Sequence, residues 1–278
     1  MKQLLPLIYI LLLSLALSCT YKQTDITGSG NVITDKRYPG TFTEIENNSI
    51  FNVSVIREDT TAVMIETDDN IMPYLQIFVD NDRLIISTKG NVQLKNLSHK
   101  NIQVSVKDLN LFKNNGTGNV QISQLDSLME LTLVNNGTGN AKLDFNCISL
   151  SIRNNGTGNL RYYGDCTSLS LYNSATGNVH IKGSFGEKIR VDNNGTGNII
   201  LAGQTSTFNL NNSGTGNIDA TKLLADAVEV YNNGTGDVTI FAGNKLTITS
   251  TGTGDVYYRG NAPNKDIKNK GTGNIIEE

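Results

Sequence analysis

The chain has 278 residues, 23 basic and 26 acidic side chains, and a formal net charge of −3. No basic run or stripe breaks that near-neutral balance, so nucleic acid is not an expected partner. Tryptophan is absent, proline occurs four times and glycine 27 times; such a composition suits many tight turns around a thin core and excludes a helical enzyme.

Residues 1–18 read as an export signal. Lys2 supplies a positive start, and an apolar run from Leu4 to Leu17, interrupted by Pro6, leads to Ser18 and Cys19. The run is shorter than the ~20 residues a helix needs to cross a bilayer. Leu15-Ala16-Leu17-Ser18-Cys19 resembles a bacterial lipoprotein lipobox, with Ala16 where that family prefers Leu. The resemblance implies that Cys19 becomes the mature first residue and carries the lipid. Each buried methylene of an acyl chain contributes about 0.8 kcal/mol, so several chains together hold a protein stably on a membrane surface. Thr20, not Asp, follows the cysteine, so the familiar inner-membrane retention signal is missing. The expected location is the cell envelope, as an outer-membrane lipoprotein, with the periplasmic and outward faces both open.

Residues 19–36 read as a linker after the lipidated cysteine, and residues 37–278 as one all-β domain. Within it, residues 37–110 form an irregular, β-rich part. Strand patterns occur at Ile50-Phe51-Asn52-Val53-Ser54-Val55, Ala62-Val63-Met64-Ile65-Glu66, Leu84-Ile85-Ile86-Ser87 and Ile102-Gln103-Val104-Ser105-Val106. This part is expected to cap a solenoid end.

Residues 111–278 are organised by a phrase, Gly-Thr-Gly-Asn, whose nine copies start at Gly116, Gly137, Gly156, Ala175, Gly195, Gly214, Gly234, Gly252 and Gly271. The spacing is 18 to 21 residues, and the fourth letter is Asn in seven copies and Asp in two, Asp237 and Asp255. A fixed period of this size marks stacked coils that bury a shared core. The fold class that follows is all-β, a right-handed parallel β-helix (β-solenoid), because parallel crossovers take that hand. Gly28-Ser29-Gly30-Asn31 reads as a degenerate copy of the phrase.

Positions six and four before the phrase are apolar in successive copies, as in Leu131 and Leu133, Leu150 and Ile152, or Ile189 and Val191. The residues after it alternate in the same way. The glycines are expected to supply positive φ or close backbone approach. The threonines (Thr117, Thr138, Thr157, Thr176, Thr196, Thr215, Thr235, Thr253 and Thr272) are expected to shape the turn, pointing into the stack or capping it through the hydroxyl. Asn stands two residues before the phrase in eight copies, with Ser250 the exception, and predicts a ladder of side-chain amides.

Cys147 and Cys166 lie one period apart, so stacking makes them neighbours about 4.8 Å apart. A disulfide and a pair of free thiols both fit, although direct neighbours on parallel strands rarely have the Cβ directions of a bridge. Two cysteines without a third ligand fall short of a zinc set. Calcium-binding nonapeptide repeats also alternate glycine, but only Asp237 and Asp255 offer carboxylates here, so no metal is assigned and calcium at those two stays open. The Asn-Gly-Thr sequons at Asn115, Asn136, Asn155, Asn194 and Asn233 follow from the turn chemistry.

Phe42-Thr43-Glu44-Ile45, Phe51-Asn52-Val53-Ser54-Val55, Asp69-Asn70-Ile71-Met72 and Asp82-Arg83-Leu84-Ile85-Ile86, followed by the coils, resemble the putative auto-transporter adhesin head domain, or GIN domain, of Bacteroidetes envelope proteins. The resemblance implies a β-helical fold and a role in adhesion. The chain closes at Glu278 after the ninth phrase, so the expectation is that it is not itself an autotransporter.

Catalytic chemistry is not expected. The two histidines, His99 and His180, have no nucleophile at a telling spacing. The outward slot five residues after each first Gly reads Gln121, Lys142, Arg161, His180, Ile200, Asp219, Thr239 and Tyr257, a mixed row and not a carboxylate cluster. The expected function is a non-catalytic scaffold for adhesion, with no cofactor, whose partners are the membrane through its lipid and a glycan or envelope protein. A carbohydrate-binding module is the alternative, with Tyr162, Tyr163, Tyr172, Tyr231, Tyr257 and Tyr258 as aromatic platforms. A polysaccharide-active enzyme is the third and weakest reading.

Overall fold

The computed structural model describes residues 23–125 and 128–278. The expected signal segment and Cys19 lie outside these residues. No described helix is long and apolar enough to cross a membrane. The helical content among the described residues is a single 3-10 turn, Met72–Tyr74.

Each coil contributes one strand before the phrase and one after it, and like stacks on like. Before the phrase, Leu128–Asn135 pairs in parallel with Leu111–Asn114 on one side and Cys147–Asn154 on the other. After the phrase, Ala141–Asp144 lies between Val120–Ser123 and Leu160–Tyr163, again in parallel. Two parallel sheets result, a leading sheet before the phrase and a trailing sheet after it. Farther along, single strands run from the trailing sheet round a bend into the leading one, as in Val179–Asn193, Ile199–Asn212 and Ile218–Asn232. The protein is therefore a β-solenoid of stacked parallel coils.

The period-2 pattern dictates what is buried. Leu131, Leu133, Leu150, Ile152, Ile189 and Val191 face inward from the leading sheet, and Val120, Ile122, Leu143, Val179 and Ile181 from the trailing sheet, all essentially inaccessible. Together they form one continuous core that runs along the stack. At about 25 cal/mol per Å² of apolar surface removed from water, this column is the main source of cohesion between coils that could not fold singly.

The regular stack begins before residue 111. Glu44–Asn47 lies in parallel between Arg83–Thr88 and Leu111–Asn114, and Asn52–Arg57 lies between Lys100–Val106 and Val120–Ser123. The region read as irregular thus contains further parallel rungs. Its departures are strands of opposite direction. Leu75–Asp80 runs antiparallel on Arg83–Thr88, while Ala62–Asp68 runs antiparallel on Lys100–Val106 and carries Val32–Arg37 outside it. The leading sheet therefore ends on a reversed strand, whereas in the trailing sheet the reversed strand lies one place in from the edge and Val32–Arg37 runs with the coils again.

Part of the segment read as a linker belongs to this cap, because Val32–Arg37 is in it and Thr24–Thr27 pairs with Val92–Lys95. Gly28-Ser29-Gly30-Asn31 is not a copy of the phrase in space. It wraps over Asp68, Asp69 and Asn70: Asp68 accepts the Gly30 and Ser98 backbone N–H groups at 2.7 and 2.8 Å, and Asp69 accepts the Ser29 hydroxyl at 2.6 Å. The degenerate rung is instead Asn47-Asn48-Ser49-Ile50-Phe51-Asn52. Its Asn47 sits in register with Asn114, and Thr117 N–H donates to Ser49 O at 3.2 Å.

Candidate interaction surface

The inner asparagines form an unbroken chain of amides. Asn47 Nδ2 donates to Asn114 Oδ1 at 3.0 Å, and the same link repeats through Asn135, Asn154, Asn173, Asn193, Asn212 and Asn232 at 2.9–3.1 Å. All eight are 0–1% exposed. At the end of the run, where Ser250 replaces Asn, Asn232 Nδ2 donates instead to Gly254 O at 3.2 Å. The Oδ1 of several rungs also accepts the first N–H of the phrase, as at Gly195 and Gly214. Both halves of the amide are therefore used, and a carboxylate in the same place would lack the donor.

The fourth letter of the phrase builds a second column with different needs. Asn119, Asn140, Asn159, Asn178, Asn198 and Asn217 each present Oδ1 to the backbone N–H of the equivalent residue in the next coil, at 2.9 Å throughout. Acceptance alone is required, so Asp serves as well. Asp237 accepts from Asp255 N–H at 2.9 Å and Asp255 from Asn274 N–H at 2.6 Å. This accounts for the two aspartates without calcium, and no group of three or more metal-type side chains occurs among the described residues.

The threonines align in a file, Thr138 N–H donating to Gly116 O and Thr157 N–H to Gly137 O, both at 3.2 Å. Their side chains do not enter the stack: all nine are exposed. The expectation that they point inward is corrected by parity. With the apolar positions, the inner Asn and the first Gly all facing in, the next residue must face out. Four of the nine copies thus offer an outward Asn-Thr-Asn comb, such as Asn136, Thr138 and Asn140, all three exposed.

The phrase glycines hold negative or extended φ. What they supply is proximity: a Cβ built on Gly139 would stand 2.1 Å from Gly118 O. Positive φ is used at the next bend, where Gly203 has φ +129°. Sequence reasoning missed that bend, although Gly164, Gly183, Gly203 and Gly260 recur eight residues after the first letter of a copy.

Cys147 and Cys166 are in direct register on neighbouring strands and are free thiols. Cys166 is buried; Cys147 is half-buried. A thiol hydrogen bond from Cys166 holds the Cys147 pKa below the usual cysteine range, while that bond and burial push Cys166 up.

Of the six tyrosines read as platforms, Tyr162 is fully buried in an inner stack between Phe145 and Phe185, with ring centroids 5.7 and 6.4 Å away. Tyr258 is 7% exposed. Neither can serve a ligand. Tyr163 packs edge-on against His180 at 5.6 Å, and the Tyr257 hydroxyl donates to Asp255 at 3.2 Å. The exposed pair is Tyr172 and Tyr231, at 42% and 48%.

Both rings stand on the outer face of the leading sheet in one register row, which reads Arg153, Tyr172, Asp192, Asn211, Tyr231. The Arg153 guanidinium lies 5.7 Å from the Tyr172 ring centre. Between the rings, Arg190 Nε and Nη2 donate to the two oxygens of Asp192 at 2.7 and 3.0 Å, and Asn211 Nδ2 donates to Asp192 at 2.6 Å. These bonds outweigh desolvation and hold the Asp192 pKa below its ordinary value, so the carboxylate is ionised. The Tyr231 hydroxyl donates to Glu229 at 2.8 Å, and that carboxylate raises the phenol's pKa. The row proposed from the sequence for the trailing sheet, Gln121 through Tyr257, also aligns in register, but it alternates charge, apolar and polar groups without convergence.

Comparison with known proteins agrees with this geometry. Residues 41–184 and 167–262 match the family described as putative auto-transporter adhesin, head GIN domain. A search of curated proteins finds no match. Among solved structures, a putative adhesin from Parabacteroides merdae is 21% identical with a TM-score of 0.64, over 91% of this chain and 99% of that one. A putative lipid binding protein from Parabacteroides distasonis is 20% identical, TM-score 0.63, over 91% and 100%. A putative adhesin from Bacteroides fragilis is 25% identical, TM-score 0.50, over the same shares. With most of its length matched and its coils built as described, the chain belongs to the GIN head-domain family of putative auto-transporter adhesins.

Proposed function

We propose that this protein is a non-catalytic lipoprotein of the cell envelope, held at the outer membrane through Cys19, whose solenoid presents rigid faces for adhesion. The observation that carries this reading is how the polar interior is used. Every buried side-chain nitrogen or oxygen among the described residues has a hydrogen-bond partner, and the inner asparagines from Asn47 to Asn212 each donate to the equivalent side chain one rung away. The buried polar groups are spent on holding the stack straight, and the variable residues are left on the outside. That is the division of labour of a scaffold, in which rigid elements fix the spacing of a surface.

Family membership and the adhesin named among the solved relatives support the same reading. The experiment is labelling of cells with a radioactive fatty acid, together with protease treatment of intact cells and an adhesion assay. The expected result is lipid on the wild-type protein, none on Cys19→Ala, and adhesion that falls when the protein is shaved or deleted. Lipid incorporation unaffected by Cys19→Ala, or adhesion unchanged by deletion, would overturn it.

A further inference from the structure

We infer that the row from Tyr172 to Tyr231 on the leading sheet is a binding strip for a neutral, extended saccharide chain lying along the solenoid axis. The inference rests on the adhesive-scaffold reading and names what that scaffold would hold. Three rungs separate the rings, from Tyr172 to Asp192 to Asn211 to Tyr231, or ~14 Å at the spacing of neighbouring strands. An extended β-linked glycan advances by close to one rung per pyranose ring, so its sugars can keep step with the coils.

The two ends of the strip are aromatic faces, and the C–H face of a pyranose packs on such a ring. Tyr172 is backed by Arg153, and Tyr231 has its hydroxyl tied to Glu229. Each ring therefore has a neighbour that limits its freedom before a ligand arrives, which lowers the ordering cost of binding. Between the rings stands a carboxylate, a guanidinium and an amide, a set that both accepts from and donates to vicinal hydroxyls. Arg190 uses two of its N–H groups on Asp192 and has five in all. Asn211 uses its amide donor on Asp192 and keeps a carbonyl oxygen for a hydroxyl.

Charge argues for the neutral class. Arg153 and Arg190 are balanced by Asp192 and Glu229 along the strip, so neither an acidic polymer nor a basic peptide finds a complementary field. The trailing sheet offers no counterpart, since Tyr163 and Tyr257 there are only partly exposed and stand in different register rows.

The test is affinity electrophoresis of the full chain, in detergent, through native gels containing hydroxyethyl cellulose, xyloglucan, laminarin or the acidic polymer polygalacturonate. Retardation by at least one neutral polymer is expected. Tyr172→Ala and Tyr231→Ala should each weaken it about tenfold, equivalent to about 1.4 kcal/mol, with circular dichroism and melting unchanged. Asn211→Ala should weaken it less, and Tyr257→Ala on the other sheet not at all. No retardation by any neutral polymer, retardation by polygalacturonate alone, or wild-type retardation of the Tyr172→Ala/Tyr231→Ala double variant would each overturn the strip. Cells carrying the double variant, beside cells lacking the protein, separate the two readings: a double variant that still binds polymer like the wild type sinks the strip alone, whereas adhesion indifferent to deletion of the whole protein sinks the scaffold.

Discussion

Two asparagines five residues apart in one coil are expected to answer the same substitution in opposite ways. Asn154 is buried and both donates and accepts in the inner ladder, so Asn154→Asp places a carboxylate beside an acceptor with no donor to give. A buried charge left without compensation costs about 3–5 kcal/mol. Asn159 only accepts, from the Asn178 N–H, and Asn159→Asp should change stability by less than about 0.5 kcal/mol. Urea unfolding at neutral pH measures both. The sign with pH is also fixed: the introduced carboxyl at 154 has a raised folded-state pKa, so its penalty vanishes below the unfolded value of about 3.9. Equal losses at the two positions would refute the division of roles. The thiols give a second test at this scale. Cys147, more exposed and with its pKa lowered by the Cys166 thiol, should react with iodoacetamide at neutral pH well before Cys166. Cys166→Ala removes that hydrogen bond and should slow the labelling of Cys147. Mass spectrometry of the tryptic peptides reads the order, and Cys166 labelled first would contradict it.

At the scale of the coil, the two glycines of the phrase do unequal work. Ala175 already fills the first position of the fourth copy, and there Thr176 N–H reaches Gly156 O at 3.4 Å, against 3.0–3.2 Å in the other coils. The stack yields by a few tenths of an ångström and survives. At both positions a Cβ would meet a backbone oxygen, Gly137 O at 2.3 Å for Gly156 and Gly139 O at 2.2 Å for Gly158, but behind it the first position has the Asn135 side-chain amide at 2.8 Å and the second has more backbone, Gly139 C at 2.5 Å and Thr138 O at 2.8 Å. Gly158→Ala is therefore expected to cost about 1–3 kcal/mol, the range of overpacking strain, and Gly156→Ala less, as compared by thermal melting. The same coil shows what was legible beforehand. The period, the inward rows and the Asn ladder could be read because each repeats one physical demand at one spacing. The outward threonines could have been read too, by continuing the alternation from Leu150 and Ile152 through Asn154 and Gly156 to Thr157. Asn47 was hidden because its turn is written Ser49-Ile50-Phe51, without glycine. Tyr162 was misassigned as a surface platform because tyrosine suits both interior and surface, and only its parity with Leu160 puts it inside. The pairing of Tyr172 with Tyr231 needed register across three coils of unequal length.

Over the whole molecule, stability is close to a sum of rungs and interfaces, so the end that is capped can open without melting the rest. The cap's N-terminal strands are fastened by Asp68 and Asp69, whose carboxylates accept Gly30 N–H, Ser98 N–H, the Ser29 hydroxyl and the Asn31 amide at 2.6–2.8 Å. Burial of Asp68 raises its pKa, but the backbone donors outweigh it, and both carboxyls are held below the ordinary aspartate value. A lowered folded-state pKa means that the stabilisation is complete above the unfolded value of about 3.9 and is lost as pH falls through the folded one. Acid should therefore release the fastening first. Hydrogen exchange measured from pH 5 downward is expected to show residues 24–37 and 92–98 losing protection below about pH 4, while the inner coils, tied by neutral amides, keep theirs. In Asp68→Asn the same segments should exchange faster already at neutral pH and respond less to acid, because one oxygen acceptor is lost and the titrating group is gone. The coils would then have to be unaffected by that substitution. If their protection fell together with the cap at every pH, the ends and the middle would be one cooperative unit, and the rung-by-rung account of this solenoid would fail.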